Sequence, residues 1–516
     1  MTRTSSPSSI DVRPRRLLSA LLASTFCATL SVSSVLAAET AKTAATSTET
    51  AATPTFKGNA ALLPADSITK HVATINGKKL PYTAHAGTLT LRDANGDPSA
   101  RVFYVAYTLD GAATEKRPVT FFFNGGPGGA TAYLNLGAAG PVALTFPDGN
   151  PTDGVAAKLG PNPDSWLPST DMVFIDAVGT GYSQPTNPEK AAKEFYGTKQ
   201  DGRAFAKAIS LWIGQNNRHT SPLWLAGESY GGIRSIEVAT ALQQQQNILL
   251  HGIVMVSPAL EMKFLDTSSN PLGSAMLLPS FAAAELERQH KLTPEAADAA
   301  WKYAFGPYLL ATGGEPLTGD EAKAFYSKVA TMTGLPESVV ASQSGMPDPQ
   351  AHDVRSRNGR LMTLYDATVT IADPYPDGVE NGNSPDPTLF GFGRAYGSAF
   401  EGYAAQDLGF RTDLTYNLLN LDVNRQWDFR GEGEMIASEI PAMRQLLALN
   451  PSLRIFIANG YFDLACPFGS SRWVASRLPV GRDRVSLHVY PGGHMIYTRA
   501  DSRAALSHDV QTFLTK

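Results

Sequence analysis

Ser229 lies in Gly227-Glu228-Ser229-Tyr230-Gly231, directly after the apolar run Leu223-Trp224-Leu225-Ala226. A glycine-bracketed serine between a strand-like run and a helix-like run has the pattern of a nucleophile elbow, a sharp turn that lifts one hydroxyl above a sheet edge. Glycines flank such a serine because the turn leaves no room for Cβ atoms. Ile233, Ile236, Val238, Ala239 and Leu242 then recur at helical spacing, as the elbow requires. The competing use of the same turn is a serine that merely caps the helix. To act as a nucleophile the hydroxyl needs a base, an acid to orient that base, and donors for an oxyanion.

The base and the acid are expected downstream. Leu453-Arg454-Ile455-Phe456-Ile457-Ala458 reads as a buried strand that opens into Asn459-Gly460-Tyr461-Phe462-Asp463. Val485-Ser486-Leu487-His488-Val489-Tyr490 reads as the next strand and opens into Pro491-Gly492-Gly493-His494-Met495. Ser229, Asp463 and His494 thus follow the order serine, acid, histidine, which is the α/β-hydrolase order and neither the chymotrypsin nor the subtilisin order. His494 would take the serine proton and Asp463 would hold the imidazole tautomer. Nine histidines compete for the base role. His488 falls inside the last strand and reads as a packed or surface residue. His71, His85, His219, His251, His290, His352 and His508 lack the glycine context of a strand end. Asp176, after the strand Met172-Val173-Phe174-Ile175, is the rival acid, but it precedes the serine.

The oxyanion site is expected upstream, where Val119-Thr120-Phe121-Phe122-Phe123 ends in Asn124-Gly125-Gly126-Pro127-Gly128-Gly129. A glycine-rich loop after a strand exposes backbone N–H groups, as the HGGG-type loops of esterases do. One of these, with the N–H of Tyr230, would hold the tetrahedral oxygen. A phosphate-cradling loop is the alternative, but no Walker lysine follows.

Together NGGPGGAT with Gly140-Pro141, the stretch from Asn162 to Ser183 (NPDSW…VFIDAVGTGYS), GESYGG at 227–232, and NGYFDLACPF with GGHM resemble the serine carboxypeptidase family over roughly residues 75–515. The resemblance implies that Ser229, Asp463 and His494 form the triad and that Gly126 and Tyr230 supply the oxyanion donors. It also puts Asn124, Gly125 and Glu228 where the family grips the terminal carboxylate of a peptide. A carboxylate only accepts hydrogen bonds. The Asn124 amide and the Gly125 N–H can therefore always serve it, whereas Glu228 serves it only when protonated. In the family a second glutamate pairs with this one, and counting back from Gly140-Pro141 that position is Ala138. Glu228 is therefore expected to stand alone, with weaker carboxylate selectivity and tolerance of amidated or ester termini. In many esterases the corresponding glutamate is simply buried and hydrogen-bonded, the other reading of Glu228.

The chain has two cysteines. Residues 1–37 read as a secretory signal, with Arg13, Arg15 and Arg16 before the apolar run Leu17 to Leu30 and a permissive cleavage site at Val35-Leu36-Ala37. Cys27 would leave with it, so the mature chain keeps only Cys466 and no internal disulfide. Cys466 is expected either to edge the active site, three residues after Asp463, or to be an inert packed thiol. Residues 38–56, rich in Ala, Thr and Ser, read as a disordered linker. The apolar run is short for a membrane span, so none is expected in the mature chain. No acceptable N-x-S/T sequon occurs. Together these features point to a periplasmic or secreted bacterial enzyme.

Charged residues make up 17% of the chain and the net charge is −4, which excludes a strong nucleic-acid footprint. Alternation over 71–76, 86–92 and 101–108, with Asn95-Gly96 as a hairpin turn, predicts an antiparallel β entry. Strands at 119–123, 172–175, 223–226 and 252–256 then alternate with helices near 199–214 and 232–245. The predicted fold is α/β: an α/β-hydrolase domain over 57–516, with a mostly parallel sheet flanked by helices. A large, partly helical insertion near 262–445 would cap the carboxyl edge of that sheet, where ligands bind. Thr293-Pro294 is expected to start a helix, Thr318…Glu321 to form a capping box, and 373–387 to be loop. Tyr375, Phe390, Phe392, Tyr396, Phe400 and Tyr403 are expected to be core of this cap rather than a substrate-stacking wall.

These residues predict a secreted serine hydrolase acting on peptides, most simply an exopeptidase that removes C-terminal residues. An esterase or acyltransferase would use the same triad. Proline-specific aminopeptidases also carry a GGPG loop, but usually with histidine where this chain has Asn124. A catalytically dead binding module is disfavoured because all three triad positions are intact. No cofactor or metal is implied, because no His/Cys/Asp cluster has ligand spacing. Nothing in the chain bears on oligomeric state.

Overall fold

The computed structural model describes residues 55–147, 153–378, 385–430 and 437–515. The predicted signal 1–37, and the predicted linker up to residue 54, lie outside these residues. The main sheet runs in the spatial order Ser67–Ile75, Lys78–Arg92, Pro98–Leu109, Asp171–Ile175, Val119–Phe123, Leu223–Glu228, Gly252–Val256, Arg454–Gly460, Val485–Tyr490, with the short strand Gln184–Pro185 beside Pro98–Leu109. The first three strands are antiparallel, as their alternation predicts. From Asp171–Ile175 onward neighbouring strands pair in parallel.

The parallel strands are continuous apolar runs because helices cover both faces of the sheet. Successive side chains point to opposite faces. Phe121, Phe123, Leu225, Met255 and Ile457 therefore pack against the helices Thr198–Gln215, Gly231–Gln245 and Ile440–Leu449. Phe122, Phe174, Ala226, Val256 and Phe456 pack on the other face with the closing helix Ala500–Thr515. Phe122 stacks on Phe174 at 4.4 Å between centroids on that second face. This is the α/β-hydrolase arrangement, with the serine strand near the centre of the sheet.

The insertion leaves the sheet after Gly252–Val256 and returns at Arg454–Gly460. It contains the helices Pro271–Arg288, Pro294–Tyr303 and Gly319–Thr333 and a small sheet of Ser356–Arg357, Arg360–Thr363 and Asp366–Ala372. Leu277, Phe281, Tyr308, Val329, Val340 and Met362 form its own core. The Thr293 hydroxyl caps its helix by accepting from Ala296 N. Thr318 also stands at an N-cap, but its side chain makes no capping hydrogen bond, so the expected capping box is not formed. Phe392, Tyr396, Phe400 and Tyr403 are buried, yet not in the insertion's core. They join the second face of the main sheet beside Phe103 and Phe122, while Tyr375 and Phe390 are exposed. Helix Ile440–Leu449, whose start falls inside the expected cap, buries Met443, Leu446 and Leu447 against the first face. No helix among the described residues is long and apolar enough to cross a membrane.

Asp171 fastens the start of its strand. Its two carboxylate oxygens take Arg117 Nε and Arg218 Nη1, each at 2.6 Å, and Leu109 N–H at 3.0 Å. All three side chains are largely withdrawn from solvent. Asp171→Ala leaves two guanidinium groups uncompensated and should cost about 3–5 kcal/mol. Urea unfolding should register that loss. Because Asp171 lies at the opposite end of the sheet from Ser229, kcat/KM measured well below the midpoint should hold.

Candidate active site

Ser229 has φ of +62°, a left-handed conformation rare for a residue with a side chain. The strain, of order 1–3 kcal/mol, is held by the turn itself. Ser229 N–H donates to Val256 O at 3.0 Å, and its carbonyl accepts from Gly232 N at 2.8 Å and Ala259 N at 2.9 Å. The flanking glycine is sterically required, because a Cβ on Gly227 would lie 2.2 Å from Gly231 O. The strand Leu223–Glu228 thus ends, the chain turns, and helix Gly231–Gln245 begins.

Asp463 and His494 leave adjacent strands and meet. His494 Nδ1 and Asp463 Oδ2 are 2.8 Å apart, with both residues buried. The other Asp463 oxygen accepts Ala465 N–H and Cys466 N–H, each at 2.9 Å. His494 is held from two sides: its N–H donates to Tyr365 O at 2.6 Å, and its carbonyl accepts from Ser257 Oγ at 2.8 Å. With Nδ1–H given to Asp463, Nε2 is the acceptor nitrogen. Burial opposes charge on the ring, but the Asp463 carboxylate and its hydrogen bond outweigh burial and raise the His494 pKa. Ser229 and His494 line one pocket of about 190 Å³ together with Asn124, Gly125, Gly126, Tyr133, Glu228 and Tyr365.

The glycine loop comes against the elbow. A Cβ on Gly125 would stand 2.5 Å from Tyr230 N and 2.8 Å from Ser229 Cβ. Gly126 has φ of +102°, and the loop closes through Gly129 N–H to Gly125 O at 3.0 Å. The loop therefore brings its own backbone alongside the amide of Tyr230.

Glu228 and Asn124 touch. Asn124 Nδ2 donates to Glu228 Oε2 at 3.1 Å, and the same oxygen accepts the Tyr497 hydroxyl at 2.8 Å. Glu228, expected to stand alone, thus has a hydrogen-bonding phenol beside it, although that partner is not a carboxyl. Burial pushes the Glu228 pKa up to about 7, against the opposing pull of His494, Tyr497 and Asn124. Tyr497, Tyr133 and Tyr365 are the residues of this site that motif reasoning missed. Only the position of Tyr497, three residues past His494, could have drawn attention to it.

The rivals have other employment. Asp176 accepts from Thr131 N and Oγ1 and from the Tyr416 hydroxyl, and so braces the chain just after the glycine loop. Burial pushes its pKa up to about 6. His488 stacks on Phe456 at 4.4 Å. Cys466 follows Asp463 in the same loop, and burial together with the charge of Asp463 pushes its thiol well up. Cys466 is buried and free.

Asp463→Asn removes the charge that most favours imidazolium against the burial that opposes it, leaving only the weaker pull of Glu228. The His494 pKa should then fall below the ordinary value of about 6.5. An NMR titration of the imidazole reads this directly, and a pKa that stayed raised would mean another group supplies the charge.

A family model described as serine carboxypeptidase matches residues 76–293. Pheromone-processing carboxypeptidase KEX1 of Yarrowia lipolytica is 29% identical over 178 residues, which are 34% of this chain and 26% of that protein. Serine carboxypeptidase-like 34 of Arabidopsis thaliana is 28% identical over 153 residues, 29% of this chain and 28% of that protein. Carboxypeptidase sxa2 of Schizosaccharomyces pombe is 28% identical over 173 residues, 32% of this chain and 30% of that protein. The chain thus spans less than a third of the length of these relatives. Residues 76–293 are thus similar to the serine carboxypeptidase family.

Proposed function

We propose that the protein is a serine carboxypeptidase that releases C-terminal residues from peptides through an acyl-enzyme on Ser229. One observation carries this reading: Ser229, His494 and the Asn124–Glu228 pair line a single pocket. A nucleophile and a candidate carboxylate-binding group thus face the same pocket, as removal of a terminal residue demands.

In this reading Ser229 Oγ attacks the scissile carbonyl while its proton passes to His494 Nε2. The Gly126 and Tyr230 N–H groups take the developing oxyanion. As the C–N bond breaks, His494 returns the proton to the leaving amine, and Asp463 balances the imidazolium charge throughout. Water then repeats the sequence on the ester and frees Ser229. Asn124, Gly125 N–H and protonated Glu228 donate to the terminal carboxylate. The insertion supplies Tyr365, Thr388, Leu389 and Leu421 to the pocket wall and is proposed as the cap. Export after cleavage near Ala37 is part of the same proposal, supported by the composition of residues 1–37.

Peptides free or blocked at either end separate the alternatives. Loss of residues from a free C-terminus is expected. Trimming from the N-terminus would mean an aminopeptidase, and turnover of esters alone an esterase or acyltransferase. Ser229→Ala should lower turnover by about 10⁴-fold or more with the fold intact. It should also abolish labelling by organophosphonates.

The pH profile should differ by substrate. His494 must be neutral to act as base, so kcat/KM should rise with pH for every substrate as the imidazolium is lost. Glu228 binds a carboxylate only while protonated, a contribution present below a pKa of about 7 and lost above it. Free-acid peptides should therefore show a bell near neutrality, while ester substrates reach a plateau. Superimposable profiles for the two would remove Glu228 from carboxylate binding.

A further inference from the structure

Tyr497 reaches Glu228 from beside the segment that carries Ala138. Its ring rests against the turn Asn135–Ala139, and the contact needs a glycine there. A Cβ on Gly137 would lie 2.3 Å from Tyr497 Cε2. Ala138, next in the chain, is small and buried. The phenol reaches Glu228 Oε2, the oxygen that Asn124 also serves, which leaves Oε1 for the pocket. The other ionisable groups that act on Glu228 are His494, Asp463, Cys466, Tyr133 and Tyr396. No second carboxyl is within hydrogen-bonding reach among the described residues. The hydroxyls of Tyr133 and Tyr396 are buried without a hydrogen-bond partner there.

We propose that Tyr497 is a positioning residue for the substrate's terminal carboxylate: its hydroxyl holds one Glu228 oxygen so that the other, protonated, donates into the pocket. The proposal rests on the carboxypeptidase reading above. A carboxyl partner must share its proton and repels the substrate once that proton leaves. A phenol donates without either liability, because it stays neutral throughout the working range. Selectivity for free carboxyl termini is then retained despite Ala138, contrary to the tolerance of amidated termini expected from the sequence.

The consequence has an unusual sign. A hydrogen bond from Tyr497 favours ionised Glu228. Tyr497→Phe removes that bond, so Glu228 keeps its proton to higher pH while losing its orientation. Free-acid activity should fall, yet its alkaline limb should move up.

The test is kcat/KM against pH for one N-blocked dipeptide with free and amidated C-termini, alongside the matching ester. Wild type should prefer the free acid. In Tyr497→Phe the free-to-amide ratio should drop about tenfold, equivalent to one hydrogen bond of about 1.4 kcal/mol, and the free-acid limb should shift to higher pH. Glu228→Gln, which donates but does not titrate, should abolish that limb. An unchanged ratio and limb in Tyr497→Phe overturns the proposal. So does an equal loss on all three substrates with the ratio intact, which is the mark of a packing role, and so does a limb that persists in Glu228→Gln. A wild-type enzyme with no preference for the free acid overturns the carboxypeptidase reading itself.

Discussion

The site depends on two stretches of backbone approaching closer than side chains permit. Gly125 lies where a Cβ would stand 2.5 Å from Tyr230 N, and Gly227 where one would stand 2.2 Å from Gly231 O. The glycine loop and the serine turn are thus packed backbone on backbone, and the left-handed Ser229 is the vertex between them. Buried charge holds the approach from below. Arg234, fully buried, pairs with Asp201 and donates to Asn124 O, so it ties the first residue of the loop to the helix that follows the serine. Asp176 braces the continuation of the loop through Thr131. Removing one partner of such a buried pair leaves an uncompensated charge, which is why the loop and the elbow stand or fall together.

The insertion is tied by backbone hydrogen bonds to the loops that carry Asp463 and His494. The turn between its strands Arg360–Thr363 and Asp366–Ala372 reaches between the acid and histidine loops. Leu364 O accepts Leu464 N–H at 3.0 Å, Tyr365 O accepts His494 N–H at 2.6 Å, and Ala367 N–H donates to Phe462 O at 2.9 Å. Arg499 adds an ion pair to Asp366 at 3.2 Å. The relative position of Asp463 and His494 is consequently set by a segment roughly a hundred residues from either. A displacement of this hairpin would move both loops, and the wall that Tyr365 gives the pocket with them.

Most of the architecture was legible from periodicity and punctuation. The runs at 119–123 and 252–256 are strands with those bounds, and the elbow sits at Ser229 between strand and helix. Such local signals survive because a parallel strand buried on both faces must be apolar throughout, and a strained turn must have glycine beside it. The insertion was legible as an interruption but not in its parts. Phe392, Tyr396, Phe400 and Tyr403 look like cap residues by chain position and pack on the main sheet instead. Thr318 has the spacing of a capping box without its hydrogen bond. Both depend on where distant segments dock.

Residue type and chain order by themselves determined the candidates: Ser229 at a turn, Asp463 and His494 at the ends of the next strands, glycines at 125 and 126, and Glu228 beside the serine. These are local statements, each readable from a few neighbouring residues. Tertiary structure alone decided what surrounds Glu228. Ala138 is the expected place for its partner, and the group that reaches it, Tyr497, comes from 269 residues further along the chain, across Gly137. No window of sequence contains both residues, and a phenol is not the residue type that a search for a carboxyl would pick out. The environment of a buried charge is set by whatever the fold brings to it, and its proton affinity is set there too.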